Sequence, residues 1–468
     1  MRKTLWALLF LLIPACGDDS SDATTSSGTT GTGGATTTSG TAGGGGTSDG
    51  GGGSSSGEGG ADGTGGNQGG ADGTGGTDVS SGTAGGGGAG GEAEAHWVGT
   101  WTTGPQLTEP HNNPPEPGLT NNTLRQVVYT SIGGSSVRLL LSNEFGNGPV
   151  TMEAVHIADS TTADGIQVET DTALTFAGEP SVTIPKGETV FSDPVDYAVK
   201  PLTKLAVTIK FGAVPSEITG HPGSRTNSYL QTGNGVSSAT LSSPVATAHW
   251  YYITGLDVAA DPSAGAVVIL GDSITDGRGS ITDENTRWPD YLSRRLRANE
   301  ATANVAVLNL GIGGNNVLTG GLGPTALERF DRDVLGQRGA RWLIVYEGVN
   351  DIGTSSDPNV ADRLIEAYET FIDKAHDKGM KAYGVPILPF NGNGYYSPEH
   401  EAARQKVNEW IRTSNQYDAV IDLDAAVRDP DDPSRLREEF LFENDWLHLN
   451  SKGYETMAGA VDLKLFTE

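Results

Sequence analysis

Four short segments in the second half of the chain hold residues suited to acyl transfer. Gly271-Asp272-Ser273-Ile274-Thr275-Asp276-Gly277 follows directly on an apolar run and sets a serine hydroxyl at its end. As local structure the same segment also reads as a turn with an Asp/Ser helix cap. Asn309-Leu310-Gly311-Ile312-Gly313-Gly314-Asn315-Asn316 follows a second apolar run. Glycine permits close backbone approach, so this loop could cradle a phosphate or aim an N–H at a developing oxyanion. No Gly-Lys-Ser/Thr follows and the Gly-x-Gly-x-x-Gly spacing is absent, which favours the oxyanion donor or a plain tight turn. Glu347-Gly348-Val349-Asn350-Asp351 ends a third run, where the Asn350 amide can point at the same spot. Of the eight histidines, only His448, in Asp445-Trp446-Leu447-His448-Leu449-Asn450, sits three residues after an Asp in such a turn. A carboxylate at that spacing can reach the imidazole Nδ1–H, fix its tautomer and steady the imidazolium formed during acyl transfer.

Taken together and in this order, the four segments resemble the blocks of the SGNH, or GDSL, hydrolases, over residues 264–468. The resemblance implies a flavodoxin-like doubly wound α/β domain and ester hydrolysis with no metal and no organic cofactor. It makes Ser273 the nucleophile, His448 the general base and then acid, and Asp445 the group that orients it. It makes the Gly314 N–H, the Asn350 side-chain N–H and the Ser273 N–H the oxyanion hole. Gly271 to Ser280 and Arg287-Trp288-Pro289-Asp290, with Trp97-Val98-Gly99-Thr100-Trp101 and Phe145-Gly146-Asn147-Gly148-Pro149, resemble a subgroup of arylesterases and xylan-associated acetylesterases. In that subgroup a β-sandwich precedes the hydrolase domain.

The elements that must position these residues are legible as a change of texture. From His96 to about Asp261, short runs rich in Val, Leu, Ile, Thr and aromatics are broken by Gly, Pro and Asn. Leu124–Ile132, Ser136–Ser142, Val150–Ala158, Pro180–Ile184, Leu205–Phe211 and Trp250–Leu256 read as strands of an antiparallel sandwich or jelly roll, placed at 96–261. From 262 to 468 apolar runs alternate with amphipathic stretches, the pattern of a doubly wound parallel sheet. The runs are Val267–Gly271, Val305–Leu310, Trp342–Tyr346, Ala382–Leu388 and Ala419–Leu423. The expected helices are Trp288–Leu296, Ala326–Leu335, Ala361–Lys378, Glu399–Arg412 and Ser451–Phe466. Ligands of such sheets bind beyond the C-terminal strand ends, where all four segments fall.

Residues 1–16 read as an export leader. Arg2 and Lys3 precede an apolar run, Leu5–Ile13, that is too short to span a bilayer. The run ends at Ile13-Pro14-Ala15-Cys16, which resembles a lipobox and makes Cys16 the expected lipid attachment point. As the only cysteine, Cys16 excludes a disulfide or cysteine cluster within one chain. Residues 17–95 are nearly all Gly, Ser, Thr, Ala and Asp and read as a disordered tether. The formal charge is -28; ten acidic residues in 17–95 and two basic ones in the leader leave -20 on residues 96–468. That sign opposes binding to nucleic acid or anionic lipid, so the expected membrane link is the lipid anchor alone. The combined expectation is an exported, envelope-anchored serine esterase that acts on acylated carbohydrate. Its rivals are a lipid or aryl-ester acylhydrolase and a polysaccharide-binding lipoprotein with a vestigial hydrolase domain.

Overall fold

In the computed structural model, Ala95–Thr467 are described; the leader, Cys16 and all but the last residue of the 17–95 segment lie outside the described residues. Ala89–Glu468 forms one compact unit. Its first part is antiparallel throughout. One sheet runs Trp97–Thr102, Ile253–Ala259, Gly134–Ser142, Thr189–Phe191, with Val195–Val199 also on Gly134–Ser142. A second runs Val245–Thr247, Ser228–Gln231, Thr123–Tyr129, Lys204–Phe211, Val150–Asp159, Thr172–Leu174. Strands alternate inward and outward residues, so Val137, Leu139 and Leu141 of the first sheet meet Leu124, Val155, Ile157 and Ile209 of the second in one apolar cluster. A small third sheet joins Gln106–Leu107, Thr219–His221 and Trp250–Tyr251.

The second part is a five-stranded parallel sheet in the order Val305–Gly311, Gly265–Gly271, Ala340–Tyr346, Lys381–Gly384, Ala419–Val420. This is the 2-1-3-4-5 order of flavodoxin-like sheets. Gly265–Gly271 is buried along its whole length, as a central parallel strand covered on both faces must be. Gly271 lies level with Gly311 on one side and Tyr346 on the other, so three of the four segments leave the sheet at one edge.

The sheet's outer strand, Val305–Gly311, does not face solvent. Val307 N–H donates to the Ser131 hydroxyl at 3.2 Å, and Gly99 N–H donates to the Arg338 carbonyl, which precedes the strand Ala340–Tyr346, at 3.0 Å. Leu308, Leu310, Leu343 and Phe330 belong to the same buried cluster as Val98 and Trp101. The antiparallel and parallel parts therefore share a core.

Several elements are shorter than their apolar runs. The run expected at Ala382–Leu388 is a strand only over Lys381–Gly384, because Pro386 has no N–H for a ladder. The Asn408 side chain takes over the polar groups of Ile387, accepting from its N–H at 2.7 Å and donating to its carbonyl at 2.8 Å. Ala419–Leu423 yields only Ala419–Val420, since Asp422 caps the helix Leu423–Val427. The last helix stops at Ala460, and Asp462 caps a separate turn, Leu463–Phe466.

Candidate active site

The strand Gly265–Gly271 runs into a single helical turn, Ser273–Asp276. Asp272 caps that turn, its carboxylate accepting from Ile274 N–H at 2.9 Å, and Gly277 closes it with φ 99°. Ser273, the first residue inside the turn, is 6% exposed. At the other end of the chain Glu443, Asn444 and Trp446 hold positive φ, an unusual density of left-handed non-glycine residues. Asp445 stiffens this loop: one carboxylate oxygen accepts from Leu447 N–H at 2.9 Å and His448 N–H at 2.8 Å.

The two segments meet. Ser273 Oγ lies 2.8 Å from His448 Nε2, and His448 Nδ1 lies 2.6 Å from Asp445 Oδ2. Burial lowers the imidazole below its ordinary range, against the Asp445 hydrogen bond and charge, which raise it. Burial alone would raise the Asp445 carboxyl, but the hydrogen bond and charge of His448 outweigh it and hold the group low. A neutral imidazole beside an ionised carboxylate can take the serine proton.

The segments expected to supply oxyanion donors leave the sheet at the same edge. Gly314 has φ 68°, a conformation that a side chain would strain. Among the described residues, no hydrogen bond occupies the main-chain N–H of Gly314 or of Ser273. Asn350 sits at the start of the helix Val349–Thr354 and is 4% exposed. Its Nδ2 donates to the Asn315 carbonyl at 2.9 Å, and its Oδ1 accepts from the Tyr395 hydroxyl at 3.1 Å. One amide N–H is thus committed and the second is left over. The structure brings Ser273, His448 and Asp445 into one chain of contacts and ties the Asn350 side chain, at a helix start, to the Gly314 loop through the Asn315 carbonyl.

Beneath this surface lies a network that sequence reasoning missed. Arg329, fully buried, donates to Asn315 Oδ1 at 3.0 Å, the Leu310 carbonyl at 2.7 Å and the Gly271 carbonyl at 3.1 Å, and pairs with Asp333 and Glu347. It thereby ties the ends of two strands to the Gly314 loop. Burial pushes the carboxyls of Asp272, Asp351 and Glu347 up, to about 7, 6 and 8 respectively.

The antiparallel part also reaches the site, which sequence reasoning did not anticipate. His221 Nε2 lies 2.9 Å from Asp276 Oδ1, and Arg225 Nη2 lies 3.2 Å from Asp276 Oδ2. The approach is close enough that a Cβ on Gly223 would fall 1.9 Å from the Asp276 carboxylate. Fifty-five residues separate His221 from Asp276, so no local spacing could announce the pair. The aromatic residues near the motifs divide. Trp288 is fully buried, its Nε1 donating to Thr275 Oγ1 at 3.3 Å, and has no face for a ligand. Tyr395 and Trp446 are half-buried and Tyr396 is exposed. Among the described residues no group of His, Cys, Asp and Glu side chains could hold a metal ion.

Residues 269–456 match the GDSL-like Lipase/Acylhydrolase family. That segment is a hydrolase domain of the GDSL, or SGNH, type, and the enzyme it makes is a carboxylic-ester hydrolase. No curated protein matches the chain. Among solved structures, a protein assigned to the G-D-S-L family of lipolytic proteins from Desulfitobacterium hafniense is 20% identical, with TM-score 0.34, over 42% of this chain and 96% of that one. Axe2, an acetylxylan esterase from Geobacillus stearothermophilus, is 20% identical, with TM-score 0.32, over 42% of this chain and 91% of that one.

Proposed function

We propose that this ester hydrolase removes short acyl groups, O-acetyl from carbohydrate first among them, outside the cytoplasm, where a lipid on Cys16 anchors it. The observation that carries the catalytic reading is the Ser273–His448–Asp445 chain, with contacts of 2.8 and 2.6 Å. In the mechanism proposed, His448 takes the Ser273 proton as Oγ attacks the ester carbonyl. The Ser273 and Gly314 main-chain N–H groups and the free Asn350 N–H receive the negative charge on the carbonyl oxygen. His448 then returns the proton to the leaving alcohol, and water repeats the cycle on the acyl-serine. The short-acyl reading is supported by the site's surroundings. Tyr395 and Trp446, half-buried, and Tyr396, exposed, supply aromatic surface beside the motifs.

A panel of esters from acetyl to long chain, assayed beside acetylated xylan, tests the substrate. The expected kcat/KM falls beyond about four carbons, each unburied methylene forgoing about 0.8 kcal/mol. A rise through octanoyl would replace this reading with a lipid acylhydrolase. Ser273→Ala should abolish turnover by several orders of magnitude with the fold intact, and near-wild-type rates would remove the nucleophile assignment. Cys16→Ser should release the protein from membranes or block its processing. A mature N-terminus that is unlipidated and begins elsewhere would refute the anchor.

A further inference from the structure

Two arginines on segments that adjoin the nucleophile's turn have hydrogen-bonding capacity left over. Arg278 follows the Ser273–Asp276 turn directly, and its main-chain N–H donates to the Ser273 carbonyl at 2.9 Å. Its carbonyl in turn accepts from the Tyr454 hydroxyl, so the backbone is fixed one turn past the serine. Its side chain is exposed and, among the described residues, makes no hydrogen bond or ion pair. Arg225 arrives from the antiparallel part, in the segment after Thr219–His221, with φ 50°. Left-handed backbone at a non-glycine residue is strained and persists only where its surroundings impose it. One Arg225 nitrogen rests on Asp276, while its Nε is buried with no partner.

Asp276 meets Arg225 through one oxygen only, Oδ2, at 3.2 Å, and leaves the other guanidinium nitrogens unused. His221 faces two acceptors, the Gly104 carbonyl at 2.8 Å from Nδ1 and Asp276 Oδ1 at 2.9 Å from Nε2. Asp445 is hydrogen-bonded to His448, and Asp283 accepts from the main-chain and side-chain nitrogens of Asn227, so neither bonds to Arg225 or Arg278. After burial and the opposing Asp445 hydrogen bond and charge, the charges of Arg278 and Arg225 also lower the His448 imidazole.

We propose that Arg278 and Arg225 form a subsite for a carboxylate on the alcohol part of the ester, so that the preferred substrate is an acylated acidic glycan, its uronate paired with the guanidinium groups. This rests on the ester-hydrolase reading and narrows its substrate. An Arg–carboxylate contact is charge-assisted and can be bidentate, which fixes the alcohol part as well as attracting it.

The full-length protein is assayed with 4-acetoxybenzoate and 4-acetoxybenzamide at pH 7, which share the acetyl group and differ by one negative charge. The quantity read is the ratio of the two kcat/KM values. In Arg278→Ala the acid/amide ratio is expected to fall about fivefold, and Arg278→Lys to restore most of it. In the wild type, raising the salt to about 1 M should lower the same ratio, because the Debye length shrinks to roughly 3 Å. An unchanged ratio in Arg278→Ala, with both esters still hydrolysed, overturns the subsite and leaves the hydrolase reading standing. Turnover of neither ester by the wild type removes the hydrolase reading and the subsite with it.

Discussion

Removing one hydroxyl, in Tyr395→Phe, tests how Asn350, the proposed oxyanion donor, is aimed. The Asn350 amide is held at both ends, by the Asn315 carbonyl on Nδ2 and by the Tyr395 hydroxyl on Oδ1. Without the hydroxyl only the Asn315 contact opposes rotation of the amide. A neutral hydrogen bond contributes about 0.5–1.5 kcal/mol net, which as transition-state energy is a loss of roughly 2- to 13-fold in kcat. KM should barely move, because the donor acts on charge that develops only in the transition state. Asn350→Ala removes the donor itself and should cost about 10²–10³ in kcat. The decisive measurement is the double-mutant cycle: in the Asn350→Ala background, Tyr395→Phe should cost nothing further. Steady-state kinetics on an acetyl ester, with thermal melts to show that each variant folds, read all four corners. Equal losses in both backgrounds, or an effect confined to KM, would mean that Tyr395 acts on substrate directly and that the aiming argument is wrong.

Two pH profiles follow from the buried ionisable groups. Burial lowers the His448 imidazole, so the acid limb of kcat/KM should have its midpoint below the ordinary histidine value of about 6.5. Asp445→Asn should lower kcat by about 10³–10⁴ by removing the group that orients the ring, and a midpoint above 7 in the wild type would contradict the first expectation. Glu347 has its carboxyl raised by burial from 4.5 to about 8, so between those values the folded state holds a proton that the unfolded state releases. Its contribution to stability is therefore present below about pH 4.5 and is lost as pH rises toward 8. Melting temperature should decline more steeply over that window in the wild type than in Glu347→Gln, and identical slopes would sink the assignment.

Three of the four segments were legible because they sit at strand ends, where an apolar run stops and a turn of Gly, Asn, Asp or Ser begins, whereas Asp445–His448 follows no strand and was legible from its Asp-to-His spacing alone. The strands themselves were legible from the same runs, less where a proline or a cap interrupted them, as at Pro386 and Asp422. What the sequence hid was pairing at a distance. Asp276 was visible inside Gly271–Gly277, yet its partners His221 and Arg225 come from another sheet system. Arg329 looked like one more basic residue on an amphipathic helix, and only the folded chain shows it fully buried among strand-end carbonyls. Trp288 was the opposite case. Its spacing from Leu292 and Leu296 puts all three on one helix face, and that face is the buried one. Helical period was the better guide there than proximity to a motif.

The bond from Val307 N–H to Ser131 has a bearing on how the molecule can be divided. An uncovered outer strand is a template on which another chain can add its own. A hydrolase fragment cut at residue 262 would carry that bare strand, with Leu308 and Leu310 stripped of their neighbours, and its first encounter would be with a second fragment. For this chain the antiparallel part is the lid on an otherwise sticky flank, so its loss would show first as insolubility and only afterwards as altered activity.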